Sequence, residues 1–460
     1  MLLSAVLVCC CFSTLTSLQG APKPVMVHYM PWFATPPGTN AGGWHWTMNH
    51  FYSTNALGQP QIASWYYPII GPYDSLDPAV LEYHVLLMKL AGVDGVIADW
   101  YGTDEHYDYA INNERTLALF QYVRKAGLKF SLCYEDHTIQ IEIKDKYIEA
   151  GAAVAHAQQT MLYAQINFFT DPSYLRLNRA PVLLNFGPQY FKNNSEWVSI
   201  FSVLDPSNRP ALFTEDDRLP AGKGAFDWPP MWMSGGGTNT LTPAQLQSYL
   251  VNFSRKANGW PNYISSAFPR FHDIYAQAGA GSSYGVLEDA NGATLTSTLS
   301  RALTNDSAIV QIVTWNDFGE GTIIEPTRDY GYRDLGIVQD LRRRYLDPGF
   351  SYTTNDLAMA FRFYTLRKLR GNDPIVAAEL DRIFANIVSG KVSIANRQLT
   401  RIESTQPVVE NGSPEAVRPQ SALGPGGTPG SPVHSTIRSV TGQAIQAFVV
   451  DANLTVFHQH

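Results

Sequence analysis

The hydrophobic positions fall into two patterns that take turns along the chain. Short apolar runs recur at Val25–Trp32, Gly95–Trp100, Lys129–Tyr134, Val182–Phe186, Ala211–Thr214, Phe226–Met231, Tyr263–Ala267 and Ile309–Thr314. Several are continuous stretches of Val, Ile and Leu type, as parallel strands covered on both faces require. Helical stretches separate them. Asp77-Pro78 caps and opens a helix over Ala79–Leu90, which Gly92 stops; Asn113–Ala126 runs to Gly127; Thr242-Pro243 opens Ala244–Lys256 before Gly259. A long helix through Ile139–Phe168 and shorter ones near Glu196–Leu204 and Thr294–Leu303 complete the alternation. Eight strands with helices between them predict an α/β fold, a (β/α)8 TIM barrel over residues 22–345. An open doubly wound sheet would want a Gly-rich phosphate turn after the first strand, and Met30-Pro31-Trp32-Phe33 is nothing like one.

The flanks read differently. Residues 1–21 form a short apolar stretch that ends in small and polar residues before Pro22 and Pro24, the pattern of a secretory signal peptide. The expected location is therefore secreted or periplasmic. A lipid anchor at Cys9, Cys10 or Cys11 is the less favoured option, because Val8 stands where a small residue is needed. No other run is long enough to span a bilayer. Residues 346–402 predict a helical extension, with amphipathic helices over Asn355–Leu369 and Pro374–Val388. Residues 403–460 carry a Pro/Gly/Ser-rich linker and a tail that are expected to be disordered.

Composition narrows the partners. Charged residues make up only 16% of the 460, while aromatics reach 12% with ten Trp and twenty-four Tyr. A surface poor in charge and rich in rings suits uncharged ligands such as an oligo- or polysaccharide. The net charge of -7 and the lack of a Lys/Arg run argue against nucleic acid. Nothing calls for a cofactor, and no His-Glu-x-x-His or paired-Cys metal pattern occurs.

A barrel of this kind carries its chemistry at the C-terminal strand ends. Those ends hold His28, Tyr29 and Trp32; Asp99, Trp100 and Tyr101; Glu135, Asp136 and His137; Asn185; Glu215, Asp216 and Asp217; Trp228 and Trp232; Arg270, His272 and Asp273; and Asn316, Asp317 and Glu320. Carboxylates and rings with few cations are what glycoside hydrolysis needs: one acid to protonate the leaving oxygen, a second carboxylate, and flat faces for sugars. Asp317 and Glu320 are three residues apart, so a helical turn after strand eight would aim both the same way. Facing one cleft, they would repel when both are ionised, leaving a neutral acid beside a charged base.

The segment Thr314-Trp315-Asn316-Asp317-Phe318-Gly319-Glu320-Gly321-Thr322-Ile323-Ile324-Glu325-Pro326 resembles the strand-eight signature of glycoside hydrolase family 99 and its relatives, including the family 71 α-1,3-glucanases. His28-Tyr29-Met30-Pro31-Trp32, Gly43-Trp44-His45-Trp46, Asp94–Gly102 and Cys133-Tyr134-Glu135-Asp136 carry the likeness across most of Val25–Tyr332. The resemblance implies an exported α-glycanase, probing α-mannan or α-glucan from within, with Glu320 as acid/base and Asp317 as the second carboxylate. In family 99 that second group is a Glu that acts on the substrate's 2-hydroxyl. The Asp-x-x-Glu spacing here is closer to family 71, whose members invert configuration. Trp46 and Trp100 are the expected stacking platforms, and Tyr29, His45, Asp99, Tyr101, Glu135 and Asn316 the expected substrate-binding groups. A non-catalytic glycan-binding or polysaccharide-assembly protein on the same barrel is the competing reading.

Two further motifs are weaker. Gly281-Ser282-Ser283-Tyr284-Gly285 fits Gly-x-Ser-x-Gly but has no strand running into it. Asp104-Glu105-His106-Tyr107-Asp108 is an acidic stretch that reads as a solvated face rather than a Ca²⁺ loop.

Overall fold

Apolar runs that must be covered on both faces have one economical solution here, a closed ring of strands inside a ring of helices. A computed structural model describes residues 23–35, 42–55 and 58–405. In it eight parallel strands follow one another: β1 (Val25–Tyr29), β2 (Gly95–Trp100), β3 (Lys129–Tyr134), β4 (Ala180–Asn185), β5 (Ala211–Glu215), β6 (Gly224–Phe226), β7 (Ile264–Ala267) and β8 (Ile309–Ile312). Each pairs with the next, and β1 pairs with β8 through Val25↔Val310, Met26↔Gln311 and Val27↔Ile312, which closes the ring. The fold is the expected (β/α)8 barrel.

The longer helices around or between the strands are α1 (Pro78–Ala91), α2 (Tyr109–Lys125), α3 (His137–Lys144), α4 (Ala153–Ala164), α5 (Asn194–Ser202), α6 (Pro243–Ala257), α7 (Ala293–Thr304) and α8 (Arg333–Tyr345). Their ends obey local chemistry. Asp77 accepts the Ala79 amide at the start of α1, and Gly92 takes φ 81° at its end. Thr242 and Gln245 form a capping box on α6.

Two expectations need correction. The sixth strand stops at Phe226 instead of running to Met231, because Pro229 and Pro230 have no amide to give a ladder. The single long helix over Ile139–Phe168 is broken into α3 and α4, with Lys146 at φ 60° between them.

Strand parity divides the core. Met26, Ile97, Cys133, Leu184, Phe213 and Phe226 fill the barrel interior. Val25, Val27, Tyr29, Val96, Ala98, Trp100 and Tyr134 point the other way, into the layer between strands and helices. Each large apolar side chain buried this way stabilises the fold by about 1.5–3 kcal/mol. Over the mouth of the barrel, Phe33, Trp46, Tyr73 and Phe318 form a third cluster under the long loop after β1.

Beyond the barrel, α9 (Thr354–Arg370), α10 (Pro374–Val388) and α11 (Val392–Ser404) pack against one another. Helix α9 lies along α1, where Arg367 pairs with Glu82 at 2.8 Å. The expected signal segment and most of the expected linker lie outside the described residues.

Candidate active site

The backbone after β8 turns tightly and brings its two carboxylates together. The Asp317 amide donates to Thr314 Oγ1 at 2.8 Å, and Oδ1 of Asp317 accepts the Glu320 amide at 3.0 Å. The Gly321 amide closes the turn on the Asp317 carbonyl at 2.9 Å. Only glycine fits at 321: φ is +70°, and a Cβ would lie 2.8 Å from the His272 carbonyl oxygen. The turn is stitched to a neighbouring segment by His272 N–H to Glu320 C=O (2.8 Å) and Ile274 N–H to Gly319 C=O (3.0 Å).

Burial pushes the Asp317 carboxyl up to about 7, with the charge of Asp99 adding to the rise. The amides of Glu320 and Gly319 work against it by donating to the carboxylate. Glu320 is pushed well above the usual carboxylate range by burial, then by Asp317, Asp273 and Glu215, and a hydrogen bond from Tyr275 opposes the shift. Its Oε2 is buried with no hydrogen-bond partner. The amide donors therefore make Asp317 the favoured anion and leave Glu320 holding the proton.

Glu320 stands on the wall of a cleft of about 520 Å³, facing Glu215 at the end of β5. Phe186, Trp228, Phe271 and Tyr284 supply the apolar lining. Burial and Asp216 raise Glu215 to about 8. Glu135, just past β3, is raised by burial and then by Asp99, Asp136, Glu215 and Glu320, so these carboxylates share one site. Beneath them His28 Nε2 lies 3.8 Å from Asp99 Oδ1, and Trp228 meets the His28 ring edge-on at 5.0 Å.

A buried polar chain stands behind the turn. Tyr29 Oη and His84 Nδ1 are 2.9 Å apart, His84 Nε2 is 3.3 Å from Glu325 Oε1, and Tyr73 donates to Glu325 Oε2 at 2.7 Å. Asn316 donates to Tyr73 Oη (3.1 Å) and to the Met30 carbonyl (2.9 Å), and accepts the Met30 amide (2.8 Å). Residues from β1, α1, the mouth loop and the β8 turn are thereby locked together.

Sequence relatives bear on this geometry. The chain is 26% identical over 312 residues to a mouse glycoprotein endo-alpha-1,2-mannosidase-like protein, across 62% of this chain and 65% of that protein. To the mouse glycoprotein endo-alpha-1,2-mannosidase it is 24% identical over 325 residues, across 65% and 66%. The chain is similar to the endo-α-1,2-mannosidases. The match spans a little under two thirds of those relatives' own length. Among solved structures, the GH99 endo-alpha-mannosidase of Bacteroides thetaiotaomicron is 18% identical and covers 74% of this chain and 99% of that one, with a TM-score of 0.49. No family model matches the chain.

The expected site residues separate into two groups. Asp317, Glu320, Glu135, Asp99 and Tyr101 come together at the mouth: Tyr101 feels the charges of Asp99 and Glu135, which help burial to raise its hydroxyl. His45 sits at the rim, stacked on Trp32 at 4.2 Å with Nε2 3.4 Å from Asp108.

The others are turned away. Tyr29 and Trp100 occupy outward positions of their strands, and Trp100, 0% exposed, donates to Asn113 at 3.1 Å. Trp46, 1% exposed, donates to the Tyr73 carbonyl at 2.8 Å inside the mouth cluster. The expected platforms are thus buried in the core, and Tyr29 and Asn316 are bonded within the polar chain. His28 and Glu215, read from sequence as strand-end residues without a role, belong to the site as well. Period-two alternation from Met26 and Ile97 was the signal for His28, since it puts 28 and 99 on the inner face.

The weaker motifs resolve locally. Ser283 donates to Asp273 at 2.9 Å, and Asp273 also takes the Tyr284 amide, so Gly281–Gly285 is a tethered loop. The acidic stretch 104–108 disperses: Asp104 goes to His156, His106 to Asp145 and Asp108 to His45.

Proposed function

We propose that this protein is an exported glycoside hydrolase that cleaves α-linked glycans of the mannan or glucan type at internal bonds, with Glu320 as proton donor and Asp317 as base. The observation that carries the reading is the clamp between the pair: the same turn that seats Glu320 on the cleft wall feeds its amide to Asp317. The names of the mouse relatives, glycoprotein endo-alpha-1,2-mannosidases, favour an α-mannose glycan. The N-terminal apolar stretch supports export.

In this mechanism the neutral Glu320 carboxyl gives its proton to the glycosidic oxygen as the bond from that oxygen to the anomeric carbon breaks. Asp317 takes a proton from the oxygen that attacks the same carbon, either a water or the sugar's own 2-hydroxyl. The cleft is lined by Phe186, Trp228, Phe271 and Tyr284, rings suited to the faces of uncharged sugars. Glu215, on the same cleft, and Glu135, which feels the charges of Glu215 and Glu320, offer carboxyls to the sugar hydroxyls.

The test is release of reducing ends from a panel of α-mannans, α-mannosyl oligosaccharides and α-glucans, with Glu320→Gln alongside. The expected result is hydrolysis of one class and a fall of about 10²–10⁴ in the variant. No release from any α-glycan, or an equally active Glu320→Gln protein, would overturn the assignment.

A further inference from the structure

Away from the cleft, three side chains from separate elements converge on one point. Asp104 lies in the loop after β2, Glu142 near the end of α3 and His156 in the first turn of α4. Asp104 Oδ2 is 2.9 Å from His156 Nε2, Glu142 Oε2 is 3.7 Å from the same nitrogen, and all three ligand atoms lie within 4.8 Å of one another.

What sets this apart from an ordinary acidic surface is Glu142. Its residue is 1% exposed, and no donor from outside the three reaches either carboxylate oxygen, whose contact with the Asp104 carboxyl is acid against acid. Among the described residues no Lys or Arg pairs with it, and the one ion-pair contact is His156 at 3.7 Å. A buried carboxylate in that state is costly unless something positive sits against it. A tetrahedral ion with bonds of about 2.0–2.2 Å holds its ligand atoms roughly 3.3–3.6 Å apart, so the observed spacings need only small side-chain adjustments. One imidazole nitrogen and two carboxylates form a mixed donor set that suits Zn²⁺ and its first-row neighbours, whereas Ca²⁺ takes oxygen ligands alone.

We propose that Asp104, Glu142 and His156 form a binding site for a divalent transition-metal ion of the Zn²⁺ type, with water completing its coordination. The ion would join the loop after β2 to the helices after β3. That loop leads from Tyr101 at the mouth to Asp108, which pairs with His45, so the site would brace one rim of the cleft without touching substrate.

The test uses the full chain, stripped with chelator and titrated with ZnCl₂, and in parallel with CaCl₂, by calorimetry and thermal melting. Expected are a saturable Zn²⁺ event of one ion per chain and a rise of several degrees in Tm, both lost in Glu142→Gln and in His156→Gln. His156 is only partly buried, so its variant keeps the fold if the Glu142 variant does not. The proposal fails if stripped wild-type protein shows no saturable Zn²⁺ event. It fails equally if His156→Gln binds Zn²⁺ and melts as wild type does, or if Ca²⁺ binds there and Zn²⁺ does not.

Discussion

The Glu320 amide donates to Oδ1 of Asp317 over 3.0 Å, so the residue assigned as proton donor uses its own backbone to favour its partner's anion against the burial that opposes it. The two roles are separated within one turn of chain, without a cation. Acid and base then differ because one carboxylate has amide donors and the other lies buried beside a charge.

The pH profile should show this. Asp317, held near 7, must be ionised to act as base, so kcat/KM should fall as pH drops below about 7 rather than below about 4. Tyr275→Phe removes a donor that favours the Glu320 anion, which raises Glu320 further. The alkaline limb should move to higher pH with the acid limb unchanged. An acid limb near pH 4, or an alkaline limb indifferent to the loss of the Tyr275 hydroxyl, would contradict the assignment.

Glu215 makes a stability prediction. Its carboxyl rises from 4.5 to about 8 through burial, so between those values the native state keeps a proton that the unfolded chain has lost. Stability should therefore fall as pH rises through that window and level off above it. Glu215→Gln should shrink the stability difference between pH 5 and pH 8.5 by on the order of 4 kcal/mol. Urea unfolding of both proteins at pH 5 and pH 8.5 measures it; identical slopes would show that Glu215 titrates normally.

Trp100→Ala empties a fully buried position between barrel and helices. Unfolding free energy should drop by about 3–5 kcal/mol. If the variant instead melts like wild type and loses glycan binding, the ring belongs to the cleft after all.

Tyr29→Phe strips the partner from His84 Nδ1 and leaves the cleft lining intact. A loss of about 1–3 kcal/mol in stability is expected, with kcat and KM for the preferred glycan unchanged. A rise in KM without loss of stability would return Tyr29 to the substrate.

The barrel could be read from sequence because parallel strands covered on both faces must stay apolar along their length, and because Asp77, Gly92 and Thr242 announce helix ends by their own backbone chemistry. Asp317 and Glu320 were legible for a related reason: their spacing and strand-end position suffice to bring them together. What stayed hidden depended on parity or on distant partners. Trp100 and Asp99 are neighbours, yet one faces the helices and the other the mouth, and only the phase of the strand decides which. His84 enters from α1 to claim Tyr29, and Tyr73 enters from the mouth loop to meet Asn316, so two residues that looked like sugar binders were already engaged. The shortened β6 was visible in Pro229-Pro230 but was outweighed by the apolar run around it.

The paired hydrogen bonds between Met30 and Asn316 join positions 286 residues apart, at the seam where the first and last strands meet. Contacts of such long range carry a high loop-closure cost and slow folding. The turn that pairs Asp317 with Glu320 is local, but Asn316 docks it on the first strand only where that seam forms, so the assigned pair takes its place beside Asp99 in the closed ring. Turnover per milligram becomes a census of closed rings, and the recovery of activity after dilution from denaturant should lag behind the recovery of helical signal by the time the seam takes to form.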